Sequence, residues 1–223
     1  MGMRRSRWRV FFCAAMAGPF VLTACGAASG AADAAEAGIS VEAERLCGGA
    51  AVSARAGAAL EVITGAALFA ASGEKATVQA AARELVRMGA STAIGNGDIC
   101  RIHPPAGSSV EEVRVTWEMS ADEPQGAGAP RFTPLPMGER AGAATDGAYV
   151  AFACTGGDLP GDSTRHLRVV VQKGGMPVVP DGDERGLREA YATVAHSFAR
   201  ALAGEIGCRG AELPAEPSLA PGR

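Results

Sequence analysis

Apolar residues recur at helical spacing in three stretches of the chain, and they alternate with polar ones in another. Ser53 to Thr64 reads as a helix with Ser53 as N-cap, Leu60 and Ile63 on one face, and Gly65 as its stop. Thr77 to Met88 reads as a second, with Val78, Ala81, Ala82, Leu85 and Met88 in register and Gly89 at its C-cap. The strongest period spans Glu184 to Ile206, where Leu187, Tyr191, Val194, Ala195, Phe198, Leu202 and Ile206 form one stripe. Asp181 followed by Glu184 fits a capping box ahead of it.

Strict alternation marks Val113, Val115, Trp117 and Met119 against Arg114, Thr116, Glu118 and Ser120, which predicts a strand with one buried face. Shorter strands are expected at Ile99 to His103, Tyr149 to Cys154 and Leu167 to Gln172. Gly95-Asn96-Gly97-Asp98 reads as a turn. The stretch 123–147, rich in Gly, Pro and Ala, reads as a long loop, and Thr155 to Thr164 as a polar one. Ala67 to Ala71 fits neither period clearly. The expected fold is therefore α+β: an antiparallel sheet of about four strands, covered on one face by helices that include a long C-terminal one.

The first 25 residues carry a different message. Arg4, Arg5, Arg7 and Arg9 precede the apolar run Val10 to Leu22, which is shorter than the roughly 20 residues a spanning helix needs and contains Pro19. Leu22-Thr23-Ala24-Cys25 resembles the lipobox of bacterial lipoproteins. That resemblance implies a diacylglyceryl group on Cys25 and cleavage just before it, hence a membrane-anchored protein on the outer face of the cell membrane. Two acyl chains meet the requirement for stable anchoring. The expected organisation is a signal peptide over 1–24, a flexible Gly/Ala tether over 25–40 with a span of roughly 20 Å, one domain over 41–209, and a disordered tail over 210–223 rich in proline.

Cleavage changes the composition that matters. The mature chain has 199 residues, with 17 basic against 24 acidic side chains, a net charge of about −7. An acidic domain without a basic run is a poor match for a phosphate backbone, so no nucleic-acid partner is expected. Cys13 leaves with the signal. Cys47, Cys100, Cys154 and Cys208 remain, none at C-x-x-C spacing, and outside the cytoplasm such an even set predicts two disulfides. Cys100 shares a strand face with Ile102, and Cys154 with Val150 and Phe152. The economical pairing joins Cys100 to Cys154 and Cys47 to Cys208. Sequential pairing, Cys47 with Cys100 and Cys154 with Cys208, is the rival.

The lipobox, the Gly/Ala tether, a Cys before a helix, Cys residues in two strands and a last helix ending in Gly-Cys together resemble the small cysteine-paired lipoproteins of unknown function common in actinobacteria. The resemblance covers most of 22–208 and implies no catalytic residues.

Candidate chemistry is sparse. His196 falls opposite the apolar stripe of its helix and is expected on the surface. His103 and His166 sit at strand ends and could meet across the sheet edge. Asp158, Asp162, Asp181, Asp183 and Glu184 lack the spacing of a calcium loop and suit capping and turns. No serine stands in Gly-x-Ser-x-Gly. No catalytic residue, metal site or cofactor is expected. The leading expectation is a non-catalytic domain that binds an envelope protein or small ligand. The alternatives are a cell-envelope hydrolase with its site in loops 123–147 and 155–164, or a structural envelope protein.

Overall fold

The structure is a computed structural model that describes residues 39–220, apart from 74, 91–93, 126–128, 162 and 176–182. The expected signal, Cys25 and most of the tether lie outside the described residues. A two-stranded ribbon opens the domain, β1 (Ser40–Glu42) against β2 (Leu68–Ala70), with a 3₁₀ turn (Ala43–Gly48) and α1 (Ala54–Thr64) between them. Next come α2 (Val78–Gly89), then β3 (Gly95–Ile102), β4 (Val113–Ser120), β5 (Thr133–Leu135), β6 (Arg140–Ala144), β7 (Gly147–Cys154), β8 (Arg165–Lys173) and α3 (Glu184–Ile206). The last six strands form one antiparallel sheet in the order β3-β4-β8-β7-β6-β5.

The helices form where the periodicity puts them. Ser53 caps α1 by accepting from the Ala56 amide at 3.2 Å, and Thr77 caps α2 by accepting from Ala80. Helix α2 takes in Gly89 and ends at Ala90 rather than capping on the glycine. Helix α3 is capped by Asp183, which accepts from the Arg185 amide. Asp181, expected in that role, lies outside the described residues.

Val113, Val115, Trp117 and Met119 of β4 all point into the core, as do Leu167, Val169 and Val171 of β8 and Val150 and Phe152 of β7. Helix α3 lies on this inner face against β6, β7 and β8, and packs on its other side against α1. Helix α2 covers the β3 side.

The sheet has six strands where about four were expected, and the two departures share one cause. Gly95 and Gly97 belong to β3, not to a turn, because they stand opposite Met119 and Trp117. A Cβ on Gly97 would sit 2.7 Å from Trp117 Nε1, so the glycine leaves room for the indole. Strands β5 and β6 arise inside the stretch expected to be loop. Gly142 of β6 lies under Tyr149 and Phe132, where a Cβ would meet the Tyr149 ring at 3.0 Å. Pro134 is tolerated because β5 is an edge strand. Small residues here make space for aromatic neighbours, which a propensity reading mistakes for loop composition.

The disulfides are sequential: Cys47–Cys100 and Cys154–Cys208, with Cα separations of 5.7 and 4.9 Å. The nested pairing fails on strand order. Cys100 and Cys154 do share the inner face, but β4 and β8 lie between their strands. Three strand spacings amount to about 14 Å, twice the reach of a disulfide. The second bridge closes a separation of 54 residues, and by chain entropy such a loop stabilises by about 4 kcal/mol.

The C-terminal tail is also not free. Residues 209–220 run back along α3. Arg209 pairs with Thr155 in an isolated bridge, and Leu213 and Leu219 pack against the core. The Pro214 and Ala215 carbonyls accept from Arg200, and Glu216 pairs with Arg55 at 2.8 Å.

Gly97→Ala is expected to drive a methyl into the Trp117 ring and cost about 1–3 kcal/mol. Thermal melts of the two proteins check this, and an unchanged melting temperature would remove Trp117 as the reason for the glycine.

Candidate functional site

All three helices leave the opposite face of the sheet free. Among the described residues, the two ends of the β4–β5 connection lie over this face, between strands that β8, β7 and β6 separate in the sheet. Both are pinned: the Gln125 carbonyl accepts from Arg140 Nη1 at 3.3 Å, Phe132 meets Tyr149 edge-on at 5.1 Å, and Arg131 pairs with Asp146 at 2.7 Å. Arg168 stacks over the Tyr149 ring at 4.2 Å and reaches Glu118 at 3.3 Å.

Beside this crossing lies a cavity of about 490 Å³, over the start of β3, the end of β4 and the start of β8. Asn96, Glu118, Ser120, Asp122, His166 and Arg168 line it. Strand register accounts for their meeting: Asn96 faces Glu118, Glu118 faces Arg168, and Ser120 faces His166. Ser120 Oγ accepts from the Asp122 amide at 3.0 Å.

His166 is the best-held group in the cavity. Its Nδ1 lies 2.8 and 2.9 Å from the two carboxylate oxygens of Glu139. An ionised carboxylate only accepts, so Nδ1 carries the proton and donates. The neutral ring then has Nε2 as an acceptor. The two side chains are 14% and 19% exposed, while Glu139 as a whole residue is exposed. Glu139 reaches His166 over β7, where the intervening positions Ala151 and Ala153 are small.

The other histidines are elsewhere. His103 does not meet His166: it follows the opposite end of β3, 3.8 Å from Glu112, within a charge network of Asp98, Arg101, Glu112 and Arg114. His196 is not on the surface. It is 4% exposed, and its Nε2 lies 2.9 Å from the Pro214 carbonyl. Helical periodicity put it on the polar side correctly, but α1 and the tail cover that side. Of the acidic residues, Asp183 caps α3 and Glu184 pairs with Arg188. Asp162 and Asp181 lie outside the described residues. Among the described residues no three His, Cys, Asp or Glu side chains converge as a metal site would require, and no helix is long and apolar enough to cross a membrane.

Sequence reasoning missed Ser120, Glu139 and Asn96. Alternation places Ser120 on the polar face of its strand, and His166 stands at a strand end. Nothing local says that these two strands pair, or that residue 139 arrives from across β7.

No protein-family model, curated protein or solved structure matches this chain.

Burial pushes the His196 imidazole below its ordinary range, an effect that Arg200 adds to and the Pro214 carbonyl partly offsets. The folded state therefore holds His196 neutral while the unfolded chain binds a proton first. The stability contributed is present above about pH 6.5 and is lost as pH falls from there through the folded value. His196→Gln is expected to flatten this part of the profile while keeping a donor for Pro214. Melting temperatures at pH 7.5 and pH 5 check it. Equal acid slopes in both proteins would exclude His196 as the titrating group.

Proposed function

We propose that the protein is a lipid-anchored domain on the outer face of the cell membrane that binds a small ligand in the cavity beside the β4–β5 crossing. The observation that carries the binding reading is the asymmetry of the sheet. Its inner face is filled by α2 and α3, while its outer face holds a cavity with hydrogen-bonding groups from three strands. Sites of this kind have a preformed wall and a few convergent polar groups. Asn96, Ser120 and His166 offer both donors and acceptors, and Arg168 with Glu118 provides charge of both signs. That mixture suits a polar, uncharged or zwitterionic molecule better than a polyanion. The anchor rests on the Leu22 to Cys25 motif alone.

A second reading, an envelope hydrolase, is favoured by one observation. Glu139 belongs to the stretch 123–147 and holds His166 at the mouth of the cavity. A charge-oriented histidine is what general-base chemistry uses.

Cys25→Ser is expected to move the protein from the membrane fraction to the soluble one, or to strand its uncleaved precursor at the membrane. Fractionation and intact mass read this out. Unchanged membrane association of a processed chain would end the anchor reading. For the cavity, a library of small polar fragments titrated into ¹⁵N-labelled protein is expected to shift the amides of Asn96, Ser120 and His166 together. Shifts centred on the His103 end, or spread evenly, would overturn the binding reading.

A further inference from the structure

We propose that Ser120, His166 and Glu139 form a serine-hydrolase site for small carboxylic esters, which rests on the cavity described above as the place where ligand sits. Three observations carry it. The strand order β4-β8-β7-β6 sets the three residues in line across one face, in the sequence nucleophile, base, carboxylate. The two nitrogens of an imidazole point to opposite sides of the ring. Nδ1 is held by Glu139 from beyond β7, which leaves Nε2 free of that contact, and Ser120 stands directly across from His166 in register on β4. Directly opposed residues in an antiparallel pair have Cβ atoms about 4.5–5.5 Å apart, within reach of a serine rotamer change and a histidine ring. Third, Ser120 Oγ already accepts from the Asp122 amide, so its own proton is free to be donated to Nε2.

That rotamer change, which releases Oγ from the Asp122 amide, would give the arrangement that activates a serine: a base within reach of the hydroxyl, itself oriented by a third group. Ser120 Oγ attacks the ester carbonyl carbon as its proton passes to His166 Nε2. The C–O bond to the alcohol breaks, and the leaving oxygen takes that proton. Water then attacks the acyl carbon, giving its proton to Nε2. The acyl–Oγ bond breaks, Oγ regains the proton, and the products are a carboxylic acid and an alcohol. Charge develops on the carbonyl oxygen in both halves. The Asn96 side-chain amide, on the strand beside Ser120 and in the same cavity, is the neutral donor available to meet it. Glu139 touches no reacting atom. It is a positioning residue that fixes the tautomer and stabilises the imidazolium. A cavity of about 490 Å³ has room for a small ester.

The test uses the full-length protein in detergent, a fluorophosphonate probe with peptide mapping, and p-nitrophenyl acetate turnover. The expected result is a single label on Ser120 that disappears in His166→Ala. Turnover should fall by about 100-fold or more in Ser120→Ala and His166→Ala. Glu139→Gln should lower kcat with KM unchanged and displace the alkaline rise of the pH–rate profile. Melting temperatures equal to wild type for Ser120→Ala keep the comparison free of unfolding. No label on Ser120, label that persists without His166, or turnover equal in wild type and Ser120→Ala would overturn the proposal. Fragment-induced shifts at Asn96 and His166 in a protein that takes no label would do the same while leaving the binding reading standing.

Discussion

Burial of α3 is the constraint on which the rest of the domain depends. Tyr191, Val194, Ala195, Phe198, Leu202 and Ile206 are all almost completely removed from water. Each large side chain among them contributes about 1.5–3 kcal/mol by transfer alone. One apolar stripe would need one partner, yet α3 is buried on two sides. The inner face of β6, β7 and β8 takes the large residues. On the other side α1 approaches, where Ala56, Gly57, Ala59 and Leu60 are buried in turn. Ala192, Ala199 and Ala203 are small enough to let a second helix come close. The C-terminal tail closes what remains and gives His196 and Arg200 their partners.

This arrangement fixes where ligand can and cannot bind. The inner face is full, with Trp117 lodged against Gly97 and no exposed side chain in β4's apolar row. The outer face is left to the strands' polar residues. Because β4 and β5 stand at distant positions in the sheet, the ends of their connection lie over that face, and the first of them builds part of the cavity wall. The cavity is thus a product of connectivity. A hairpin between adjacent strands would have left the same residues on an open, flat surface.

The disulfides reinforce the same geometry from its two ends. Cys47–Cys100 fastens the 3₁₀ turn to edge strand β3, with the Ser72 hydroxyl lying 3.5 Å from the Cys100 sulfur and accepting from the Cys47 amide. Cys154–Cys208 fastens the end of α3 to the end of β7, and the bridge from Thr155 to Arg209 continues that join into the tail. Each bond joins a segment that begins or ends a helix layer to the strand it must lie against.

The sequence by itself determined the elements whose signals are local. The three helices, the cap at Ser53, the buried face of β4 and the core-facing Cys100 and Cys154 follow from spacing, because a helix or strand face is set by residues within a few positions of one another. Strand order, disulfide partners and the fate of the tail required contacts between separate elements, such as the disulfides at separations of 53 and 54 residues, which periodicity does not encode. Glycine was misread for the same reason. Gly95, Gly97 and Gly142 look like turn residues until Trp117, Tyr149 and Phe132 are seen above them. His196 shows the limit most clearly: its helix face was legible, its burial was not, since burial depends on what the other elements bring to that face. Ser120, His166 and Glu139 lie far apart along the chain and were brought to one cavity only by the order in which the sheet is strung.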